Sequence, residues 1–171
     1  MGNSLEYNSR GVAATDRIRP ATLDDIDVLV RHRLGMFADM GVPVEESVAP
    51  AFRAWLSDMM SSGTYRAWLI ETESTAVAAG GGITILPWPP GPRYPTGRLA
   101  FVYNVYTEPA HRRRGYARRI MQAIHAWCRE AGITSVALNA SLEGRPLYDS
   151  LGYHIAQSPM MFFGLDMGPK V

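Results

Sequence analysis

The stretch that decides the fold is residues 104–120, NVYTEPAHRRRGYARRI, near the middle of the chain. An apolar segment runs into it, a proline turn bends it, and three arginines lead to Gly115 and directly into a helical pattern. The first turn of a helix has unpaired N–H donors and the positive end of the dipole, so a strand, loop and helix in this order can bind an anion. We therefore expect an anion-binding loop here.

Composition and charge limit the function classes. The length of 171 residues predicts a single folded domain, residues 17–171. Residues 1–16 are expected to form a flexible leader before it. Since 17 basic residues balance 16 acidic ones, nucleic-acid binding is not expected. No apolar run is long enough to cross a bilayer, the N-terminus lacks the apolar core of a signal peptide, and Cys128 is the only cysteine, which together favour a cytoplasmic protein without membrane contact. The four histidines lack ligand spacing, so no metal site is predicted.

Apolar periodicity places the elements along the chain. It predicts strands over residues 17–19, 66–71, 75–86, 99–106, 133–138, 153–156 and 160–165, and helices over residues 22–41, 45–60, 115–131 and 146–150. The run Gly80, Gly81, Gly82 inside the third strand indicates a bulge or a close backbone approach. The strand–helix–strand order from residue 99 to residue 138 predicts a right-handed crossover and a parallel pair.

Two motifs carry a resemblance to a known family. The hexapeptide of residues 112–117, RRRGYA, follows a strand and opens a strong amphipathic helix, and residues 145–153, RPLYDSLGY, stand about thirty residues later. In this order the two resemble the signatures of the GNAT superfamily of N-acetyltransferases over roughly residues 17–165. Ser141 and Gly144 depart from the Asn and Ala that many members carry. The resemblance implies an α/β GNAT fold: a mixed, mostly antiparallel central sheet with a parallel splayed pair in the middle and helices on both faces.

The same resemblance implies acetyl-CoA as co-substrate and a set of binding residues. Backbone bonds from Val105 and Thr107 would hold the pantetheine arm, and an N–H near Val105 and Tyr106 would face the thioester oxygen. Arg112 would brace the loop, while N–H groups of the following six residues would bind the pyrophosphate. The predicted cofactor-binding residues are Val105, Tyr106, Thr107, Arg112, Arg113, Arg114, Gly115, Tyr116, Ala117 and Arg118. Tyr148 would protonate the leaving thiolate as the catalytic acid.

The sequence does not decide the identity of the acceptor amine or the group that deprotonates it. Asn104 on the central strand cannot act as a base, which leaves a water relay or one of three carboxylates: Glu71, Glu108 and Glu143. A primary amine of a small molecule is the expected acceptor, and candidate pocket residues are Trp55, Trp88, Tyr94 and Met160. The proline-rich residues 87–95 form either a surface connection or a pocket wall. The alternatives are a non-catalytic CoA-binding module and a protein N-acetyltransferase. Dimerisation is common in the family, and nothing in the sequence specifies it.

Overall fold

The computed structural model describes residues 16–74, 76–92 and 94–157. Contacts divide the chain into two compact units, one up to Asn139 and one from Ala140 onward, and each is described by itself. The predicted leader and the strand predicted over residues 160–165 lie outside the described residues, except for Asp16. The prediction of a single domain stays a prediction.

The first unit contains eight named helices and strands in an α/β order. The strands are β1 (Arg17–Pro20), β2 (Tyr65–Glu71), β3 (Val77–Pro87), β4 (Arg98–Thr107) and β5 (Val136–Leu138). The helices are α1 (Ile26–Asp39), α2 (Val48–Ser61) and α3 (Tyr116–Glu130). Short 3-10 turns at Leu23–Asp25 and Pro109–His111 precede α1 and α3.

The five strands form one sheet in the order β1-β2-β3-β4-β5. The first three pairings are antiparallel, and β4 pairs with β5 in parallel. This mixed sheet confirms the predicted fold class, with the parallel pair at one side of the five described strands. Helix α3 is the crossover between β4 and β5, as the strand–helix–strand order predicts.

Helices cover both faces of this sheet. A Cβ on Gly80 would meet His32 of α1, whereas a Cβ on the next residue, Gly81, would meet Ile120 of α3. Because successive strand residues point to opposite faces, α1 and α3 lie on opposite sides of β3. On the α1 and α2 side the buried core consists of Leu29, Val30, Leu56, Tyr65, Ala67 and Leu69. On the other side α3 buries Ile120, Met121, Ile124 and Cys128, as its apolar stripe predicts.

An ion-pair network fixes the start of α1 against the edge of the sheet. Arg19 of β1 donates to both carboxylate oxygens of Asp25, each at 2.7 Å, and to Glu71 of β2 at 2.6 Å. The Asp25 carboxylate also accepts the N–H of Thr22 at 2.7 Å, which caps the turn before the helix. Arg19 holds the pKa of both carboxyl groups below their usual range.

The second unit is small. Its described part holds one helix, α4 (Arg145–Ser150), followed by residues without regular secondary structure. Residues 153–156, predicted as a strand, pair with no strand in the described part of the chain, and the next predicted strand, residues 160–165, lies outside that part, so this strand stays a prediction. None of the helices in the described part of the chain has the length and apolar character needed to cross a bilayer.

Candidate active site

The most distinctive feature of the sheet is a bulge in β4. Gly80 of β3 lies opposite Tyr106 and Gly82 opposite Tyr103, so one residue of β3 faces two residues of β4. The extra residue interrupts the pairing, and Asn104 adopts a left-handed φ of 55°. The structure thus contains a bulge opposite the glycine run, at the start of the stretch that decides the fold.

Gly81 makes room for this bulge. A Cβ built on Gly81 would lie 2.8 Å from Cγ2 of Ile120 and 3.1 Å from Cγ2 of Val105. The bulge carries Val105 over β3 toward α3, and only a residue without a side chain fits beneath it. The glycine run therefore marks the close backbone approach expected from the sequence.

Just before the bulge, β4 leaves its parallel partner. Pairing with β5 extends from Ala100 opposite Val136 to Val102 opposite Leu138, where β5 ends. Residues 103–107 of β4 continue past that point while still following β3 on the other side. This part of β4 extends past the parallel pairing, which is the geometry needed for an extended ligand to add as a strand.

The end of β4 leads into the N-terminus of α3. After the 3-10 turn, Arg113 (φ 64°) and Gly115 (φ 78°) both take left-handed conformations. The first backbone bond of α3 runs from the N–H of Arg119 to the carbonyl of Gly115 at 3.1 Å, so the N–H groups of Tyr116 and Ala117 precede it. No acidic side chain lies in the first turn, and a Cβ on Gly115 would meet no atom within 4 Å. Open space therefore lies beside Gly115, and the glycine is required there by its φ.

All three arginines of the loop are exposed, and Arg112 is the one that contacts β4 and α1. Arg112 donates from Nε to the carbonyl of Thr107 at 3.1 Å and pairs with Asp39 at the end of α1, and its guanidinium lies over the Tyr106 ring. Arg113 and Arg114 expose their side chains. Arg112 thus ties the loop to β4 and α1, and the other two leave positive charge at the surface.

Tyr116 buries its side chain. The ring is 1% exposed, its hydroxyl donates to the Asp16 carboxylate, and Arg119 donates to the Asp16 carbonyl at 2.7 Å. Burial, followed by the bond to Asp16, raises the pKa of this phenol. Only the backbone of Tyr116 can therefore serve a ligand at the helix N-terminus.

A buried polar group lies on the α1 side of the bulge. The Asn104 side chain, 8% exposed, accepts a hydrogen bond from Nη1 of Arg33 at 2.7 Å. The Arg33 guanidinium lies between the rings of Phe37 and Phe52, with 4.9 and 4.6 Å to the ring centroids. Burial lowers the pKa of Arg33 and raises that of the nearby Tyr65 phenol to about 12.

A second polar group follows β4. Oε1 of Glu108 lies 3.1 Å from Nε of Arg31 and 3.3 Å from Nε2 of His32, which is 1% exposed. Burial lowers the pKa of His32 to about 4, despite the attraction of Glu108. Glu108 and Tyr106 also line an open cavity of about 490 Å³ beside α1, together with Asp27, Val30, Arg31, Leu34, Gly35 and Ala38. The other two carboxylates named from the sequence differ in setting, since Glu71 pairs with Arg17 and Arg19, and Glu143 is exposed in the second unit.

Tyr148 lies in α4 of the second unit. Its ring is half-buried and meets the Tyr153 ring edge-on at 5.8 Å, and burial raises the pKa of its phenol. The turn before it uses both departures from the family pattern, because Ser141 Oγ accepts the N–H of Gly144 at 3.1 Å. A Cβ on Gly144 would lie 3.1 Å from that oxygen and 3.2 Å from the Tyr148 ring, so the hydroxyl and the glycine fit each other.

The residues named for an acceptor pocket do not form one cluster in the structure. Trp88 and Tyr94 pack on each other in the turn joining β3 to β4, at the opposite end of β4 from Thr107. Trp55 packs between Phe52 and Tyr65, and Met160 lies outside the described residues. The proline-rich turn therefore connects two strands away from the bulge.

Sequence reasoning did not single out Arg33 or His32. The signal for Arg33 is its place in α1, three residues after Val30 and four before Phe37, on the apolar side of the helix. His32 is buried beside Leu29 and Val30. A charged or titratable residue within an apolar stripe indicates a polar partner on the facing strand.

Comparison with known proteins decides the family. The sequence model of the Acetyltransferase (GNAT) family matches residues 34–153. The chain belongs to the GNAT acetyltransferase family. This confirms the resemblance read from the two motifs, and it supports the enzyme class predicted from them, an N-acetyltransferase.

Solved structures agree with the family. A GCN5-related N-acetyltransferase from Ralstonia eutropha JMP134 is 31% identical, with a TM-score of 0.77 over 86% of this chain and 98% of that one. A predicted acetyltransferase from Clostridium acetobutylicum, solved with acetyl-CoA, shares the fold at 24% identity, with a TM-score of 0.81 over 87% of this chain and 96% of that one.

A curated relative matches over a shorter stretch. It is an aminoglycoside N(6')-acetyltransferase type 1 from Acinetobacter genomosp. 13, 30% identical over 70 residues, which is 39% of this chain. The chain spans about half the length of this relative, 48%.

Proposed function

We propose that this GNAT protein transfers an acetyl group from acetyl-CoA to a primary amine of a small molecule, by direct attack of the amine in a ternary complex. The observation that carries the proposal is the continuity of three features. A bulged strand extends past its parallel partner, a loop with two left-handed residues follows, and an uncapped helix begins at Gly115. Together they offer backbone donors for both ends of one extended thioester cofactor.

The loop would bind the pyrophosphate. Backbone N–H groups from Arg113 through the first turn of α3 are the proposed donors, and Gly115 leaves space for the anion. Without an anion, the arginine charges oppose the positive end of the helix dipole. The negative charge of a bound diphosphate would offset both the arginine charges and the positive end of the dipole. Arg113 and Arg114 would add charge-assisted contacts.

The bulged part of β4 would hold the pantetheine arm and the thioester. Val105 is the proposed partner for the arm and an N–H near Val105 and Tyr106 the donor to the thioester oxygen. The Thr107 carbonyl already accepts a hydrogen bond from Arg112. Thr107 would therefore contribute to the pantetheine site partly through its fixed position. A donor aimed at the developing oxyanion is worth about 3 kcal/mol or more of barrier.

Acetyl-CoA supplies the activated acyl group, and the chain's own residues would move the protons. Tyr148 is proposed to donate to the sulfur as the C–S bond breaks. Its raised pKa keeps the phenol protonated at neutral pH, although full transfer to a thiolate is then uphill by at least about 2 kcal/mol from reference values of 10 and 8.5. This cost is small beside typical catalytic barriers, and the hydrogen bond alone stabilises the leaving sulfur.

Glu108 is the carboxylate we assign to deprotonation of the amine, directly or through water. It follows β4 and lines the cavity beside α1, and Arg31 and His32 fix its position. An alkyl ammonium has a pKa near 10, so the base must act while the amine is held for attack. The relative that acetylates aminoglycosides and this open cavity both favour a small-molecule acceptor.

The test is thiol release from acetyl-CoA by the purified protein with a panel of small amines and, separately, peptides with free N-termini. We expect release with at least one small amine and binding of CoA in calorimetry. Release with peptides alone would transfer the assignment to a protein N-acetyltransferase. Tight CoA binding without release from any acceptor would indicate a CoA-binding module, and absence of CoA binding would overturn the proposal.

A further inference from the structure

The Arg33 guanidinium lies close to the bulge. Its Nη1 donates to Asn104, the residue whose left-handed φ begins the bulge and which directly precedes Val105. The rings of Phe37 and Phe52 hold the guanidinium on two sides. Because Asn104 is a neighbour in sequence of the proposed thioester site, a group bound by Arg33 would lie beside the reacting acetyl.

The charge of Arg33 has no acidic partner in the part of the chain that the structure describes. Its guanidinium contacts a neutral amide and two aromatic rings instead of a carboxylate. Its Nε is buried without an acceptor among the described residues. Tyr65 and Tyr103 are the titratable groups that face it, and burial raises the pKa of both phenols, so they stay neutral.

A half-buried cation without a counter-charge is costly, and a bound anion lowers that cost. Aromatic faces and one amide oxygen replace only part of the lost hydration. A guanidinium also presents several donors in a plane that matches carboxylate and phosphate oxygens, and Asn104 uses one of them. A site with such a group next to the reacting atoms selects ligands that carry an anion near the amine.

We propose that Arg33 binds an anionic group, a carboxylate or a phosphate, on the acceptor amine. The inference rests on the proposed function and adds a substrate class to it: amines that carry a negative charge a few bonds from the nitrogen. Glu108, which follows β4 and pairs with Arg31 of α1, would then meet the ammonium end, so the two charges of a zwitterionic acceptor would meet opposite charges. A purely cationic acceptor would find a repulsive cation at this position.

The experiment compares matched amine pairs as acceptors. Phenylalanine is compared with phenethylamine for the carboxylate, and O-phosphoethanolamine with ethanolamine for the phosphate, by kcat/KM at saturating acetyl-CoA. We expect a preference of about 10- to 100-fold for the charged member of at least one pair, the size of one charge-assisted hydrogen bond. The pair that shows it distinguishes carboxylate from phosphate.

Arg33→Gln tests the residue itself. The ratio of kcat/KM for the charged over the neutral amine is expected to fall toward one, and Arg33→Lys to keep part of the preference. The ratio cancels any general loss of folded protein, and comparing it between the variant and the wild type cancels intrinsic differences in amine reactivity. Arg17→Gln, which removes the same charge from the exposed side of β1, is the control and is expected to leave the ratio as in the wild type.

Two results would overturn the inference while leaving the proposed function standing. One is equal use of charged and neutral amines by the wild-type protein. The other is an equal loss on both members of a pair in Arg33→Gln, which would make Arg33 a residue that only holds Asn104 and the bulge. Absence of thiol release with every amine would instead remove the proposed function, and this inference with it.

Discussion

At the scale of single residues, Tyr148 is the proposed acid and can be tested without disturbing the loop. In Tyr148→Phe we expect kcat to fall about 100-fold, because the leaving sulfur loses its proton donor. Affinity for acetyl-CoA, measured by calorimetry, is expected to stay within a few-fold. Tyr153→Phe is the matched control, since its ring packs edge-on against Tyr148. An unchanged kcat at every pH would exclude the acid role.

Glu108 gives a second residue-scale prediction with a pH signature. Glu108→Gln is expected to lower kcat/KM at pH 7 by about 100-fold and to recover much of it at pH 10, where about half of the amine is already neutral without a base. Glu143→Gln, an exposed carboxylate of the second unit, should behave as the wild type at both pH values. A deficit of the same size at pH 7 and pH 10 would show that Glu108 only fixes the structure around Arg31 and His32.

Residue roles were predictable from the sequence where local backbone chemistry dictates the residue type. Gly115 and Arg112 follow from motif spacing. The structure gives Gly115 a left-handed φ, and Arg112 ties the loop to the Thr107 carbonyl. Arg33 was not predictable, because its partner Asn104 is 71 positions away. The burial of His32 beside Glu108 likewise depends on how α1 meets the end of β4.

At the scale of elements, the bulge connects β3 to the proposed site. The sequence predicted a bulge or close approach at the glycine run of β3, but it did not place the irregular residue at Asn104 on the facing strand. The helix over residues 45–60 begins later, at Val48, and the last strand of the parallel pair starts at Val136 instead of residue 133. Element ends depend on pairing and caps that apolar periodicity does not encode.

Gly81→Ala tests the role of that glycine in the bulge. The new methyl would lie 2.8 Å from a buried methyl of Ile120 and 3.1 Å from Val105, so either α3 or the bulge must shift. We expect a loss of about 1–3 kcal/mol in the free energy of unfolding, and a fall of several degrees in Tm. Binding of CoA should weaken as well, since Val105 moves with the bulge.

Gly91→Ala is the control for that substitution. Gly91 lies in the turn between β3 and β4, and a Cβ there would meet no atom within 4 Å. Its Tm and CoA affinity are expected to match the wild type. Equal Tm and equal affinity for Gly81→Ala would contradict the close packing of Gly81 against Ile120 and Val105.

At the scale of the whole molecule, stability should depend on pH through groups whose pKa values differ between the folded and the unfolded protein. Burial holds the pKa of His32 at about 4, below its ordinary value of 6.5, so the folded protein keeps this histidine neutral. The unfolded chain binds a proton more readily, and stability is complete above pH 6.5 and falls as the pH drops from 6.5 toward 4. His125 contributes in the same direction, because burial lowers its pKa too.

The acidic groups act in a different window. Asp25 and Glu71, whose pKa values Arg19 holds below their ordinary range, contribute stability that is present above about pH 4 and is lost below it. Loss of stability between pH 7 and pH 5 therefore reports mainly on the histidines. Because the two pH windows are separate, the protonation of His32 can be measured through the free energy of unfolding of the whole protein.

Urea unfolding of the wild-type protein at pH 7 and pH 5 measures the His32 contribution. From pKa values of 6.5 unfolded and about 4 folded, the free energy of unfolding should fall by about 2 kcal/mol between these pH values through this residue alone. In His32→Gln the difference between the two pH values should shrink by that amount, whatever the absolute stability of the variant. His154→Gln removes an exposed histidine of the second unit and should keep the wild-type difference. An undiminished pH dependence in His32→Gln would mean that the folded protein accepts a proton at His32, with Glu108 3.3 Å away as its counter-charge.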